Sequence, residues 1–527
     1  MLITTCGAGF RGAIGQLVSV QLHHTRGARF HVSGMHWSHA RHILARIHAA
    51  LEVVGLPRPS GAFTLHIGPA HVKPESNELD VPIALCLLAV SGSIDPHKLT
   101  NLFSMGELAL DGHLLISDTL LSRANFTMNP ASNGVGAAIN RCLIPPGGEQ
   151  ATQRLIASNV PAFHAHHLKE ALDFLQNSMP LQRVQDQAMP AQVRSHWPTP
   201  LFDSIKGSDE NKEALVIAAA GEHHTFIMGP PGSGKTLLAR ALAELTPSLS
   251  HDDRKHSEHM HALRKEVLHA HDRVPYRQPH VQSTPAALTG SWNAWGAIPG
   301  ELALSHRGVF CLDEFPEFAR NTLEALRGPL EDDSIELNRA QGSHRFPAKS
   351  LTVATANPCP CGHLTRRNQR CHCTPGNVRK YLNRMTGPLM DRFAIHIETQ
   401  LEGSPESSDH AVLYSGRQAI TAVQWVRARR LEMAKKSSHG FAWSEAMHQQ
   451  LQLWTHRHGL SRRGFESIQK VAETVCLLEA WRDQKAIDSL KISEDHVVLA
   501  TRFRIFDQTA WLDRAFNPDW PQYQAPD

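Results

Sequence analysis

HHTFIMGPPGSGKTLLARALAEL, residues 223–245, decides the fold. An apolar run from Phe226 to Met228 leads into Gly229-Pro230-Pro231-Gly232-Ser233-Gly234-Lys235-Thr236, and from Leu237 onward the apolar spacing is helical. Strand, glycine loop and helix in that order predict a parallel α/β sheet, with the loop opening a helix. The glycines let successive backbone N–H groups converge on one anion, and the helix N-terminus adds the positive end of its dipole. A chain of phosphates suits such a loop. Lys235 would reach the outer phosphates and the Thr236 hydroxyl would ligate Mg²⁺. Gly229 to Leu237 therefore form the expected binding set for ATP with Mg²⁺.

A loop of this kind needs an acidic partner on a neighbouring strand. GVFCLDEF, residues 308–315, supplies one, because Asp313 and Glu314 follow an apolar strand from Val309 to Leu312. Asp313 would hold the cation through water, and Glu314 would orient and polarise the attacking water. LTVATAN, residues 351–357, is a second β-branched run, and it ends in Asn357. An amide there can hold the lytic water and sense the γ-phosphate.

The rest of the 527 residues arranges itself around this core. An apolar content of 41% and a charged content of 20% fit a soluble globular protein of several domains. Residues 1–176 mix short β-type runs with helical periodicity and predict an α+β domain. Residues 177–200 carry Pro and Gln without apolar periodicity and read as a linker. Residues 201–402 form the α/β core, 403–504 read as a helical lid, and 505–527 as a tail. VPIALCLLAV, residues 81–90, is half the length of a membrane span, and MLITTCGAGFRG lacks the order of a signal peptide. A cytoplasmic protein without membrane contact is expected, with Cys6, Cys86, Cys142, Cys311 and Cys476 as inert core thiols.

Charge is uneven. Between Leu337 and Met390 there is no Asp or Glu, while nine Arg and Lys residues make the segment +9. The whole chain is only +3, so the remainder is six units negative. Such a block is either a solvated face or a surface for a polyanion. The same segment holds Cys359, Cys361, Cys371 and Cys373. Four thiols in a short loop are the soft ligand set of a tetrahedral zinc, with His363 or His372 as substitutes. The alternatives are reduced surface thiols or redox chemistry.

GPPGSGKT, IPGELALSHRGVFCLDEFPEF, ALRGPLEDD, ATANPCPCG and TGPLMDRF, in this order, resemble the magnesium-chelatase-like AAA+ ATPases. The resemblance is nearest to the competence-associated ComM/YifB branch, whose members carry an N-terminal Lon-protease-like domain. It spans nearly the whole chain, from FRGAIGQLVSVQLH through IGPAHVKPESNELDVPIAL to LSRRGFESIQKVAETV. It implies that Arg392 is an arginine finger acting on a neighbour's ATP, and that Arg463 contacts phosphate in its own chain. It also implies a homo-hexameric ring and a helicase-like translocase promoting branch migration of incoming DNA. On this reading Arg339, Arg345 and Lys349, in a hairpin before the strand at 351–357, would face a central pore.

A chelatase-type ATPase subunit, driving metal insertion or other remodelling, is the alternative; a scaffold using ATP only as a latch is a third. The chain departs from the family at LTGSWNAWGAIPGE, at His280-Val281, and at Glu473-Thr474 and Leu477. LDVPIAL has no Ser, ISDTLLS has no Lys, and Lys73 has no serine in register. A protease therefore lacks its nucleophile and base, and the first domain is expected to be catalytically degenerate.

Overall fold

The computed structural model describes residues 1–11, 14–69, 78–115, 139–146, 160–181, 183, 199–205, 209–264, 266, 268, 273–293, 296–339, 342–365, 371–385, 389–399, 414–435, 441–457, 460–484, 490–504 and 506. Lys73, ISDTLLS, Arg366, Arg367, Arg370, most of the expected linker and the tail other than Phe506 lie outside the described residues. The chain divides into two compact units. One comprises Met1–Gln192, Glu258–Val267 and Trp292–Ile298; the other comprises Val193–Ser257, Leu268–Ser291 and Pro299–Asp527.

The first unit is built on β1 (Leu2–Arg11), β2 (Ile14–Thr25), β3 (Phe30–Ser33), β4 (Ala62–Gly68), β5 (Leu102–Ser104), β8 (Arg141–Ile144) and β9 (Ala162–His164), in the order β3-β4-β2-β1-β5-β8-β9. Strand β1 pairs antiparallel with β2 and parallel with β5, so the sheet is mixed. A small antiparallel pair, β6 (Glu107–Leu108) and β7 (Leu114–Leu115), stands apart. Helix α1 (Trp37–Val54) buries Ala40, Ile43, Ile47, Ala50, Leu51 and Val54, one face of a 3.6-residue repeat. Helix α2 (Asp80–Val90) is buried all round from Asp80 to Ala89, which explains its unbroken apolar sequence. Its buried Asp80 is held by Arg46, whose Nε and Nη2 donate at 2.7 and 3.0 Å. Helix α3 (Leu168–Gln176) closes the unit.

In the second unit β10 (Thr225–Met228), β11 (Tyr276–Arg277), β14 (Val309–Leu312), β17 (Leu351–Ala356) and β18 (Ile395–Glu398) form a parallel sheet in the order β11-β14-β17-β10-β18. One pair of this unit stands outside it, β15 (Ser334–Arg339) with β16 (Gly342–Pro347); a further pair, β12 (Gly290–Asn293) with β13 (Gly296–Pro299), includes Trp292–Ile298 of the first unit. Every residue of β10, β14 and β17 is buried, as expected of a sheet covered on both faces. Helices α4 (Asp209–Gly221) and α5 (Lys235–Leu245) cover it.

After two short helices, α6 (Pro329–Asp332) and α7 (Pro375–Leu382), the chain ends in α8 (Gly416–Lys435), α9 (Glu445–Arg457), α10 (Arg462–Arg482) and α11 (Glu494–Arg502). These late helices share one core with the sheet: Val216 and Ala219 of α4 cluster with Val423 of α8 and Val471 of α10. His223 Nε2 also meets Thr474 Oγ1 at 2.9 Å, and the buried Arg504 donates from Nη1 to the Phe393 carbonyl at 2.5 Å. Among the described residues no helix is long and apolar enough to cross a membrane.

Candidate nucleotide site and its arginine pair

Parallel pairing puts the ends of three strands at one edge. Met228 is in register with Ala356, and Leu312 with Ala354. Gly229, Asn357 and Asp313 therefore leave the sheet side by side, at the switch point where such folds bind ligands. In the loop, Gly232 and Gly234 have φ of +83° and +81°. A Cβ at either would touch nothing within 4 Å, so backbone conformation and not space demands glycine. Gly229 is different, since a Cβ there would lie 1.9 Å from Thr399 Oγ1, the hydroxyl that bonds Ser233 Oγ at 2.6 Å.

Lys235 Nζ donates to the carbonyls of Gly229 and Pro230 at 2.8 and 2.9 Å, and to Asn357 Oδ1 at 3.0 Å. Asp313 gathers three donors. Gln278 Nε2 reaches Oδ2 at 2.9 Å, the Thr355 hydroxyl donates to Oδ1, and Thr236 Oγ1 stands 3.4 Å from Oδ2. That last gap is long for an O–H···O bond and leaves two oxygens around a space that a small hard cation suits. The donor set thus fits Mg²⁺ with Thr236 and Asp313 as its holders. Glu314 sits at φ +54°, left-handed backbone that a glutamate adopts only under constraint, and its N–H donates to Thr355 Oγ1 at 3.2 Å. Gln278, Thr355 and Thr399 were not singled out from sequence. Thr355 stands in the quoted LTVATAN, two residues before Asn357, and its position on the strand is the signal that could have found it.

Arg392 lies at the opposite edge. It ends the turn Met390–Arg392, ahead of β18, where Ile395 pairs with Thr225 at the start of β10. Its Nη2 donates to Glu331 Oε2 at 2.6 Å, while Arg463 Nη2 donates to Glu331 Oε1 at 2.5 Å. Hydrogen bonding from Arg463, together with the charge of both guanidiniums, holds the Glu331 carboxyl below its usual range. The two arginines, of which Arg463 is expected to serve its own chain's phosphates and Arg392 a neighbour's, share one carboxylate. Arg392 borders a cavity of about 320 Å³ with Arg307, Lys349, Arg427, Arg430 and Lys470. Lys349, just after the hairpin, ion-pairs with Glu222 at 2.8 Å. The hairpin itself is present, with Arg339 exposed and Arg345 across from Glu336.

The four cysteines also converge. Their sulfurs all lie within 4.8 Å of one another, and neither His363 nor His372 belongs to the group. Cys359 is fully buried and the other three are half-buried. Burial opposes ionisation, but the N–H groups of His363 and His372 and the adjoining thiols bring Cys361 down to about 6. This cluster could hold a metal ion, which fits zinc.

A phosphate loop, an Asp-Glu pair and a polar strand end, meeting at one edge of a parallel sheet, define a P-loop ATPase core. The family described as "Magnesium chelatase, subunit ChlI" matches residues 201–406, and "Subunit ChlI of Mg-chelatase" matches residues 18–133. The chain is 33% identical to YifB of Salmonella typhimurium over 481 residues, 88% of this chain and 89% of that protein. It is 30% identical to competence protein ComM of Haemophilus influenzae over 486 residues, 89% and 92% of the two chains. Magnesium-chelatase subunit ChlI of Porphyra purpurea is 25% identical over 229 residues, 39% of this chain and 58% of that one. The chain belongs to the ComM/YifB-like family of magnesium-chelatase-like AAA+ proteins, with the general ATPase role of that family.

Proposed function

We propose that this protein forms a homo-hexameric ring in the cytoplasm, hydrolyses ATP at the seams between subunits, and translocates on single-stranded or branched DNA, promoting branch migration during uptake and integration. One observation carries the reading: the Arg392–Glu331–Arg463 group lies at the far edge of the sheet from its own phosphate loop. Strand β10 separates the two edges by four residues, about 13 Å at 3.3 Å per residue. Arginines so placed serve the ATP of an adjoining subunit, and Arg463 joins Arg392 in that task.

Within each subunit the loop N–H groups and Lys235 cradle the phosphates, Glu314 polarises the water, and Asn357 positions it beside the γ-phosphate. Magnesium, when held by Thr236 and Asp313, neutralises charge that develops on the phosphate oxygens. The relation to competence protein ComM, the exposed hairpin and the acid-free segment support DNA as the track. Charges of this kind contact phosphates without reading sequence. Residues 1–176 act as a catalytically degenerate Lon-like docking module, joined by 177–200 to the ATPase core at 201–402 and the helical lid at 403–504; 505–527 are a tail.

The likeness to the Porphyra ChlI subunit favours the chelatase-type reading as the second. ATPase rate with and without single-stranded and branched DNA separates them. Strong stimulation is expected, and a rate indifferent to both DNA forms would refute translocation and favour the chelatase-type role.

A further inference from the structure

The cysteine loop does more than sit near the nucleotide site. Cys359 and Cys361 approach to 3.4 Å between sulfurs, Cys359 and Cys371 to 3.7 Å, and Cys361 and Cys371 to 3.5 Å. A zinc ion bound at about 2.3 Å by four thiolates sets sulfurs about 3.8 Å apart along the edges of its tetrahedron. A disulfide would need about 2.05 Å, so no pair is oxidised. Four sulfurs this close leave room for a single ion. All four positions are filled by protein, which makes the site structural.

Two links join this loop to the phosphate cradle. Gly362, one residue after Cys361, has φ +79° and packs so closely that a Cβ would stand 2.5 Å from Cδ and Cγ of Pro231. Cys359, two residues after Asn357, is anchored in the core, and Asn357 Oδ1 accepts the Lys235 ammonium at 3.0 Å. The Gly362 N–H donates to the Cys359 carbonyl at 2.9 Å, closing the turn between the two links. On the other side, Cys373 immediately precedes Thr374, whose hydroxyl caps α7 by accepting from the Asn377 N–H at 3.3 Å. A metal bridging Cys359 and Cys361 to Cys371 and Cys373 ties a capped helix to the wall of the phosphate loop.

We propose that these four cysteines bind one structural Zn²⁺, and that the closed site holds Pro231 and Asn357 in place, so that affinity for ATP depends on zinc. The second half rests on the nucleotide reading above; the first stands without it. Metal analysis of the full chain, purified without chelator, is expected to find about one zinc per chain. Cys371→Ser and Cys373→Ser should lose it.

Protein stripped with a mercurial and thiol under EDTA, then desalted, should bind a fluorescent ATP analogue with Mg²⁺ about tenfold more weakly, the factor for one lost hydrogen bond of about 1.4 kcal/mol. Reloading with ZnCl₂ should restore it. Gly362→Ala keeps all four thiols and drives a methyl into Pro231; it should retain zinc and still lose affinity, which covers the case in which a cysteine variant fails to fold. Iron in place of zinc, or a metal content that added zinc does not raise, overturns the metal assignment. Equal affinity for the analogue in stripped and reloaded protein overturns the coupling. Both readouts are taken without DNA, so their failure and the failure of translocation are told apart.

Discussion

Chains carrying Lys235→Ala cannot cradle ATP, and chains carrying Arg392→Ala cannot complete a neighbour's site. Each variant alone should be nearly inactive. The loss of an arginine finger costs about 10³–10⁵ in rate, or roughly 4–7 kcal/mol of barrier. Arg392 starts about 13 Å from the loop end of β10, beyond the roughly 7 Å span of an arginine side chain. A mixed ring therefore regains a working seam wherever an Arg392→Ala chain, with its loop intact, meets a Lys235→Ala chain, with its arginine intact. At equal mixing such seams make up about one quarter of the total, falling symmetrically on either side of that ratio. The assay is steady-state phosphate release across a titration of one variant into the other, with ring assembly followed by light scattering. Activity that never exceeds the sum of the parents in fully assembled mixed rings would refute the trans arrangement.

Glu314→Gln should keep ATP binding while single-turnover hydrolysis falls about 10²–10⁴, the usual share of a general base; unchanged turnover would take Glu314 out of that role. Removing Arg339 or Arg345 should lower the log–log salt slope of single-stranded DNA binding by about 0.7 per charge, without altering sequence preference. Binding titrations between low and moderate salt test this, and an unchanged slope would place the track elsewhere. Acid should loosen the ATPase unit early. Burial holds His224 and His306 down to about 4, and their Nδ1 atoms accept the N–H groups of Thr352 and Lys349, which requires a bare nitrogen. Both are neutral in either state above pH 6.5; below it the unfolded chain takes up protons that the folded one refuses, so stability drops until about pH 4. The loss is about 2 kcal/mol for each ring at pH 5, and urea midpoints at pH 7 and pH 5 that coincide would count against it.

What could be read from the chain beforehand was whatever lies close together along it. The loop from Gly229 to Thr236 carries its own strand and helix, and Asp313-Glu314 and Asn357 announce themselves as polar ends of apolar runs. Cys359 and Cys361 are likewise local, as is their spacing from Cys371 and Cys373. Glu331 could not be found this way, because it meets Arg392 from 61 residues away and Arg463 from 132. Nothing in GPLEDD distinguishes its first carboxylate from the next two. Amphipathic periodicity likewise shows that α8 and α10 bury a face, not that the face lies in the core of the sheet. Lys349 lies close to Arg339 and Arg345 in sequence, while Glu222, its ion-pair partner, lies 127 positions upstream and could not be read from the local pattern.

The left-handed backbone at Glu314 has a consequence for how the molecule tolerates heat. A side chain with a Cβ is held there against a preference of roughly 1–2 kcal/mol, and glycine or asparagine would rest in the same conformation at ease. Glu314→Gly should therefore melt later than the natural chain while hydrolysing almost nothing. A hardier but idle protein would show that this residue is kept for its chemistry and is tolerated by the fold.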